Sequence, residues 1–543
     1  MAPVPETYLP APGDLAERIY ALPEVRYPER LNLAEHLLDQ NVAKRGEKDY
    51  IRFQGERISY REFREQVERL ASALDHLGIR KGDRVLLRGP NIPQFVVSNF
   101  ACWRIGAIPV YLHPLSKAGE IIFRTRDTEA GTIIASEEGF EEVAKAAKEI
   151  PSLKTVLLMD FQKPGYLGLG DLIRSSSGPT RAAEMNRRDI ARIVYSSGTT
   201  GPPKGIINDN EMILSAGDSL GRYLLNLKET DILCGASPVT FVFGFFPLQV
   251  APQFGASVVL LDRFSPSRMF EAIEKYRITV LFCIPTAYRM MLALGGAEKQ
   301  YDLSSLRLCL SAGEWLPAST YREWKDRFGV EILDGVGAAD LNFWLCTPPG
   351  TPEEKWDSSG VTVPGYEVKV VDEHFRPLPR GQEGELLVRG NSSQMYWRRP
   401  DKQREGVVQG WNRPGLVFLE DEDGYFWYRG RTDDLIVSSG YKIPGGEVEN
   451  VLNEHPAVLE SAVVGSPDPI RNHIVKAYVV LREGYLPGPE MILELQEFVK
   501  SRIEPYKYPR AIEFAPKEDL PRTFTGKIQR AALREKEERE KAG

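Results

Sequence analysis

Between residues 84 and 285 the chain alternates short apolar runs with helical patterns, and that rhythm restricts its architecture more than any other feature. RVLLRG (84–89) is followed by NIPQFVVSNFACWRIG, then AIPVYL, a second helical stretch and GTIIAS. Parallel strands need a crossover that carries the chain back to the same edge, and a helix is the usual crossover. The pattern resumes at ASVVLLD (256–262), runs through SPSRMFEAIEKY and reaches ITVLFCIP (278–285). Two doubly wound lobes are the expectation. At 543 residues the chain is also too long for one core.

After about residue 360 the texture changes. VPGYEVKVVDE, GELLVRG and GYFWYRGR are short alternating runs separated by turn residues, as in a small antiparallel barrel or sheet. From about residue 434 a strand, the helix GGEVENVLNEH, the strands ESAVVG and KAYVVLR, and the helix PEMILELQEFVKSRI read as a compact α+β domain. The charged KEEREK tail reads as a solvated helix.

Charge and cysteine usage exclude several classes. With 69 basic and 76 acidic side chains the net charge is −7, so there is no basic excess for nucleic acid, and small molecules are the expected partners. The five cysteines are scattered through apolar runs such as LFCIP and LRLCL and read as reduced, buried thiols. SPVTFVFGFFPLQV (237–250) is too short to cross a bilayer and is broken by glycine and proline. The N-terminal segment has no basic stretch leading into an apolar core, so a cytoplasmic location is expected.

Three segments carry the chemistry. YSSGTTGPPKG (195–205) combines hydroxyl residues, glycines and one lysine, a composition that turns backbone N–H groups and hydroxyls toward phosphate oxygens; its spacing is not that of a Walker loop. LPRTFTGKIQR (520–530) places Lys527 after a Thr-Gly turn, and GRTDDLIVSSGYKIPGGEVE (430–449) supplies a charged turn and a second glycine-rich loop. Taken singly these are a surface turn, a surface lysine and a hairpin. In this order and spacing they resemble the superfamily of acyl-CoA synthetases, adenylation domains and luciferases over nearly the whole chain.

The resemblance implies an α/β fold: a large N-terminal domain (1–432) of two doubly wound lobes and a small β-barrel, followed by a mobile α+β C-terminal domain (433–543). It also implies two-step chemistry, in which a carboxylate attacks the α-phosphate of ATP to give acyl-AMP, and the thiol of CoA then displaces AMP. Carried over by position, Thr199, Thr200, Gly201 and Lys204 match the phosphate loop. Gly313 and Glu314 in SAGEWLP, with Asp334, Gly335 and Val336, match the adenine wall. Arg431 matches the arginine near the ribose, and Asp433 the hinge. Lys527 matches the lysine that offsets charge during adenylation, and Gly440 and Lys442 match the loop lining the pantetheine channel.

Three positions depart from the pattern. GVGAAD (335–340) has the glycines of a loop, but where the superfamily has Thr-Glu for the α-phosphate and Mg²⁺ it carries Ala339 and Asp340. Alanine has no hydroxyl, and aspartate is one methylene short for an octahedral Mg²⁺ site. In WNRPGLVFLEDEDGYF (411–426) the usual Thr-Gly-Asp reads Pro414, Gly415, Leu416. The lost charged hydrogen bond to the ribose is worth about 1.5–3 kcal/mol, or about tenfold to several hundredfold in affinity.

These changes weigh against use of ATP and Mg²⁺ and leave CoA and the AMP moiety of acyl-AMP as the expected cofactors. A non-adenylating acyl-CoA ligase is the favoured reading, with a separate adenylating enzyme as a possible partner. A complete ATP-dependent aryl-CoA ligase and an inactive scaffold subunit are the alternatives. PVTFVFGFF resembles the aryl-CoA ligase branch, particularly 2-aminobenzoate-CoA ligases, and makes Phe241, Phe243 and Phe245 candidate walls of an aromatic or polycyclic acyl site.

Overall fold

The computed structural model describes residues 4–176, 178, 180–196, 203–432, 434–438, 441–469, 471–522 and 528–542. Two compact units emerge. The first comprises Met1–Ser196, Gly205–Val368 and Val388–Asn412; the second comprises Ser197–Lys204, Lys369–Leu387 and Arg413–Gly543.

The first unit contains both doubly wound lobes. In one, the strands lie in the order 167–168, 155–158, 132–135, 84–88, 108–112, 190–196, 204–209. The pairings from 167–168 across to Val110 with Ile193 are parallel. Numbered along the chain from Arg84, the first five strands stand in the order 5-4-3-1-2. The other lobe repeats that order with 332–338, 308–312, 280–283, 232–235 and 257–259, and adds the parallel strand Asp49–Phe53 beside Ser257–Val259. Antiparallel strands finish both edges: Glu56–Ser59 on one side, Asn342–Cys346 and Val361–Thr362 on the other. In such sheets the crevice for ligands opens at the carboxyl ends of the strands, where successive strands diverge.

Local sequence places the helices. Ser59 caps helix Tyr60–His76 in a capping box with Glu62, satisfying amides that the helix itself leaves unbonded. Ser265 caps Pro266–Tyr276, where proline takes the first-turn position that needs no N–H donor. Gly329, at φ 70°, ends Ala318–Phe328. Each lobe has its own core. Ile133, Leu158, Ile193 and Trp397 belong to one, and Phe270, Leu281, Tyr288 and Trp324 to the other. All five cysteines are free and buried.

The second unit holds antiparallel pairs, Glu383–Glu385 with Val417–Leu419 and Leu416–Glu420 with Phe426–Arg431. It also holds the C-terminal sheet, in the order 441–444, 435–438, 472–481, 458–468, with Ala511–Phe514 added parallel to 472–481. Helices Gly445–Asn453, Pro489–Lys500 and Arg530–Ala542 accompany it. Val448, Leu452, Val463, Val479 and Leu495 are among the residues of its core. Among the described residues no helix is long and apolar enough to cross a membrane.

Candidate active site

The residues expected to flank adenine meet at the carboxyl edge of the second lobe. Strands 308–312 and 332–338 are parallel neighbours, with Ser311 opposite Asp334 and Ala312 opposite Gly335. Gly313 follows the first strand at φ 88°, a conformation that strains any residue bearing a Cβ. Glu314 accepts a hydrogen bond from Thr286 Oγ1 at 2.9 Å, which ties it to helix Pro285–Leu292. Burial pushes the Asp334 carboxyl up to about 7, against a weaker opposing pull from Ser311 and the Leu316 amide.

The GVGAAD segment is not the loop its glycines imply. Strand Ile332–Ala338 runs through it, and only Ala339–Leu341 turn. The glycines answer close neighbours instead. A Cβ on Gly335 would stand 2.9 Å from the Phe343 ring, and one on Gly337 2.4 Å from the Asn342 carbonyl. Val336, between them, is half-buried.

In the turn, Ala339 is held through its backbone carbonyl, which accepts from Asn208 Nδ2 at 2.7 Å; its side chain offers no donor. Asp340 is 5% exposed, and its Oδ2 accepts hydrogen bonds from Gln394 Nε2 and Tyr396 OH, each at 3.0 Å. A Mg²⁺ ion approaching this oxygen would meet two N–H and O–H donors already aimed at it. Oδ2 of the carboxylate is therefore engaged within the protein.

In the second unit Leu416 and Arg431 face one another across antiparallel strands. An aspartate at 416 would put a carboxylate in register with Arg431; leucine puts a hydrocarbon there. Gly415, at φ 71°, forms the preceding turn, and its carbonyl accepts from the Thr432 amide. Lys204 is half-buried and opens strand Lys204–Asp209. Thr199, Thr200, Gly201, Asp433, Gly440 and Lys527 lie outside the described residues, as does the side chain of Lys442, whose backbone is in strand Tyr441–Pro444.

The three phenylalanines diverge. Phe241 caps helix Val242–Phe254, is half-buried and packs on His113 with ring centroids 5.7 Å apart. Phe243 meets Phe282 and Phe343 at 6.4 and 6.1 Å. Phe245 points the other way. It is 0% exposed, packed on Trp103 and Tyr111, and it belongs to the core rather than to an open wall. Phe246, 1% exposed, is buried as well, its ring 5.7 Å from Phe282 and 5.4 Å from Phe343. A cluster of Phe243, Phe246, Phe282 and Phe343 thus abuts the Gly335–Gly337 strand.

Two doubly wound lobes with a glycine-punctuated carboxyl edge describe an α/β protein of the doubly wound class. The comparison with known proteins narrows this. The AMP-binding enzyme family model matches residues 38–397, and the AMP-binding enzyme C-terminal domain model matches 447–527. The chain belongs to the AMP-binding, adenylate-forming enzyme family, in its aryl-CoA ligase branch. It is 34% identical to the benzoate--CoA ligase of Thauera aromatica, covering 94% of this chain and 97% of that one. It is equally 34% identical to acyl-coenzyme A synthetase ACSM4, mitochondrial, of Rattus norvegicus, covering 94% and 91%. The solved structure of the anthranilate CoA ligase AuaEII in complex with anthranoyl-AMP superposes with a TM-score of 0.85 at 33% identity, over 94% of this chain and 98% of that one.

Proposed function

We propose that this acyl-CoA ligase forms an aryl or polycyclic acyl-CoA thioester from a preformed acyl-adenylate and CoA, with its own adenylation step weak or lost. The observation that carries this reading is the engagement of Asp340 by Gln394 and Tyr396 beside the hydroxyl-free Ala339. Leu416, standing where a ribose-gripping aspartate is expected, does not separate the two half-reactions, because acyl-AMP carries the same ribose as ATP.

The two half-reactions ask different things of the protein. In adenylation a carboxylate oxygen attacks the α-phosphorus while the bond to pyrophosphate breaks, and positive groups and hydrogen-bond donors must meet the charge that builds on phosphate. The donor expected at 339 is missing, and one oxygen of the carboxylate at 340 already accepts two hydrogen bonds. In thioester formation the CoA thiol gives its proton to solvent and its sulfur attacks the acyl carbonyl, the C–S bond forms and the carbonyl–phosphate bond breaks, and AMP leaves with the bonding pair. That step needs an oriented acyl group and a channel for the thiol. Half-buried Phe243, packed on Phe343, serves the orientation, since apolar burial contributes about 25 cal/mol per Å².

A second reading has its own support. Similarity across both family domains, to a benzoate--CoA ligase among others, favours a complete ligase that uses ATP, the acid and CoA. Two assays divide the readings. Acid-dependent ATP–pyrophosphate exchange is absent under the first and present under the second. Synthetic benzoyl-AMP and 2-naphthoyl-AMP with CoA give thioester under both, and neither gives any if the chain is a scaffold.

A further inference from the structure

We infer that Arg192 is a positioning residue for the nucleotide: acting through Asn208, it sets the carbonyl of Ala339 and with it the 339–341 turn that meets the phosphate of a bound adenylate. This deepens the ligase reading and rests on it, because that reading puts the phosphate at the turn. Arg192 lies in strand Ile190–Ser196, where Ala191, Ile193 and Val194 are buried, and it is itself 0% exposed. A strand covered on both faces calls for apolar side chains, and a buried cation calls for a carboxylate. Arg192 meets neither expectation. Among the described residues its hydrogen bonds go to two side-chain amides and to no carboxylate. A residue that breaks a local rule without an ion-pair partner is one to examine for function.

What the guanidinium does follows from its having donors and no acceptor. Its Nε donates to Asn208 Oδ1 at 2.7 Å, and its Nη1 donates to Gln249 Oε1 at 3.1 Å. Each amide is thereby fixed with its oxygen toward Arg192 and its NH₂ group turned away. Asn208, also 0% exposed, is left to donate from Nδ2 to the Ala339 carbonyl at 2.7 Å, and Gln249 donates from Nε2 to the Ile213 carbonyl at 3.4 Å. An apolar residue at 192 would free the Asn208 amide to turn its oxygen toward the Ala339 carbonyl, where two acceptors repel. The strands that carry Arg192 and Asn208 are sheet neighbours, one entering and the other leaving the segment expected to hold phosphate. Ala339 follows strand Ile332–Ala338 of the other lobe. One buried cation therefore ties the stem of the phosphate segment to the 339–341 turn.

The test is equilibrium binding of AMP and adenosine by the full-length protein, since the two differ only in the phosphate. The wild type should bind AMP the tighter. Arg192→Met, which keeps the bulk of the side chain without its donors, should shrink that preference about 3- to 10-fold, with adenosine affinity held within about twofold. Asn208→Leu keeps the charge at 192 and cuts the link, and it should shrink the preference as far; the double variant should be no worse than either single one. Arg192→Lys should retain part of the preference. Equal wild-type affinities, no detectable AMP binding, or a preference kept in Asn208→Leu overturns the inference, and so does loss of AMP and adenosine by one common factor, the mark of a purely structural role. Where a melting curve shows that Arg192→Met does not fold, Asn208→Leu and Arg192→Lys decide on the same criteria. Failure of the ligase reading shows separately, as a wild type that gives no thioester from benzoyl-AMP and CoA whatever its preference for AMP.

Discussion

Asp340 and Ala339 hold the account together at the scale of single residues. Asp340 is buried with two donors on one carboxylate oxygen, so replacing it alone disturbs a local network as well as a catalytic position. The informative variant restores all three departures. Ala339→Thr, Asp340→Glu and Leu416→Asp together are expected to raise ATP affinity by at least tenfold, measured by isothermal titration; no change would mean that these positions do not govern the nucleotide. Asp334 supplies a second prediction. Its carboxyl is raised to about 7 in the fold, so between its ordinary value near 4 and about 7 the folded state holds a proton that the unfolded chain has released. Stability contributed by the protonated form is complete below pH 4 and is lost as pH climbs through 7. Asp334→Asn should therefore gain in melting temperature on the wild type between pH 5 and 8, and parallel curves would contradict the burial argument. The residue identities of the departures were legible from sequence alone. The partners of Asp340 were not, because Gln394 and Tyr396 lie more than fifty residues away and no local pattern ties them to the turn.

Helix Val242–Phe254 shows what element-level reading catches and what it misses. An aromatic run around residue 245 announces a wall, but its apolarity is nearly continuous, so spacing cannot tell which face meets ligand and which meets core. Tertiary packing separates the two faces: Phe245 turns to Trp103 and Tyr111, while Phe243 and Phe246 turn to Phe282 and Phe343. Phe245→Ala should cost about 3–5 kcal/mol of stability in denaturant titrations with acyl preference little altered. Phe243→Ala should cost less and shift preference among benzoyl, naphthoyl and larger acyl-adenylates. The reverse pattern would exchange their roles. Strand Ile332–Ala338 teaches a related lesson. Glycine read as loop punctuation is, in this strand, clearance for a neighbouring ring and carbonyl. Gly335→Ala, with its Cβ 2.9 Å from Phe343, should weaken acyl-adenylate binding more than it lowers the melting temperature.

At the scale of the whole molecule, the strand–helix rhythm announced two doubly wound lobes, and both appear with the same 5-4-3-1-2 order. That much was legible because fully buried parallel strands leave long apolar runs and need helical crossovers. The sequence did not reveal that the lobes are joined at their carboxyl edges by Asn91, since its bonds to Ser237 and Val239 are visible only in three dimensions. The central claim concerns which half-reaction this architecture retains. The most direct measurement follows pyrophosphate and thioester release together, from purified protein given either ATP, an aryl acid and CoA, or the corresponding acyl-AMP and CoA. The account predicts thioester from acyl-AMP and no acid-dependent pyrophosphate from ATP; sustained pyrophosphate release matched by thioester in the ATP reaction would contradict it.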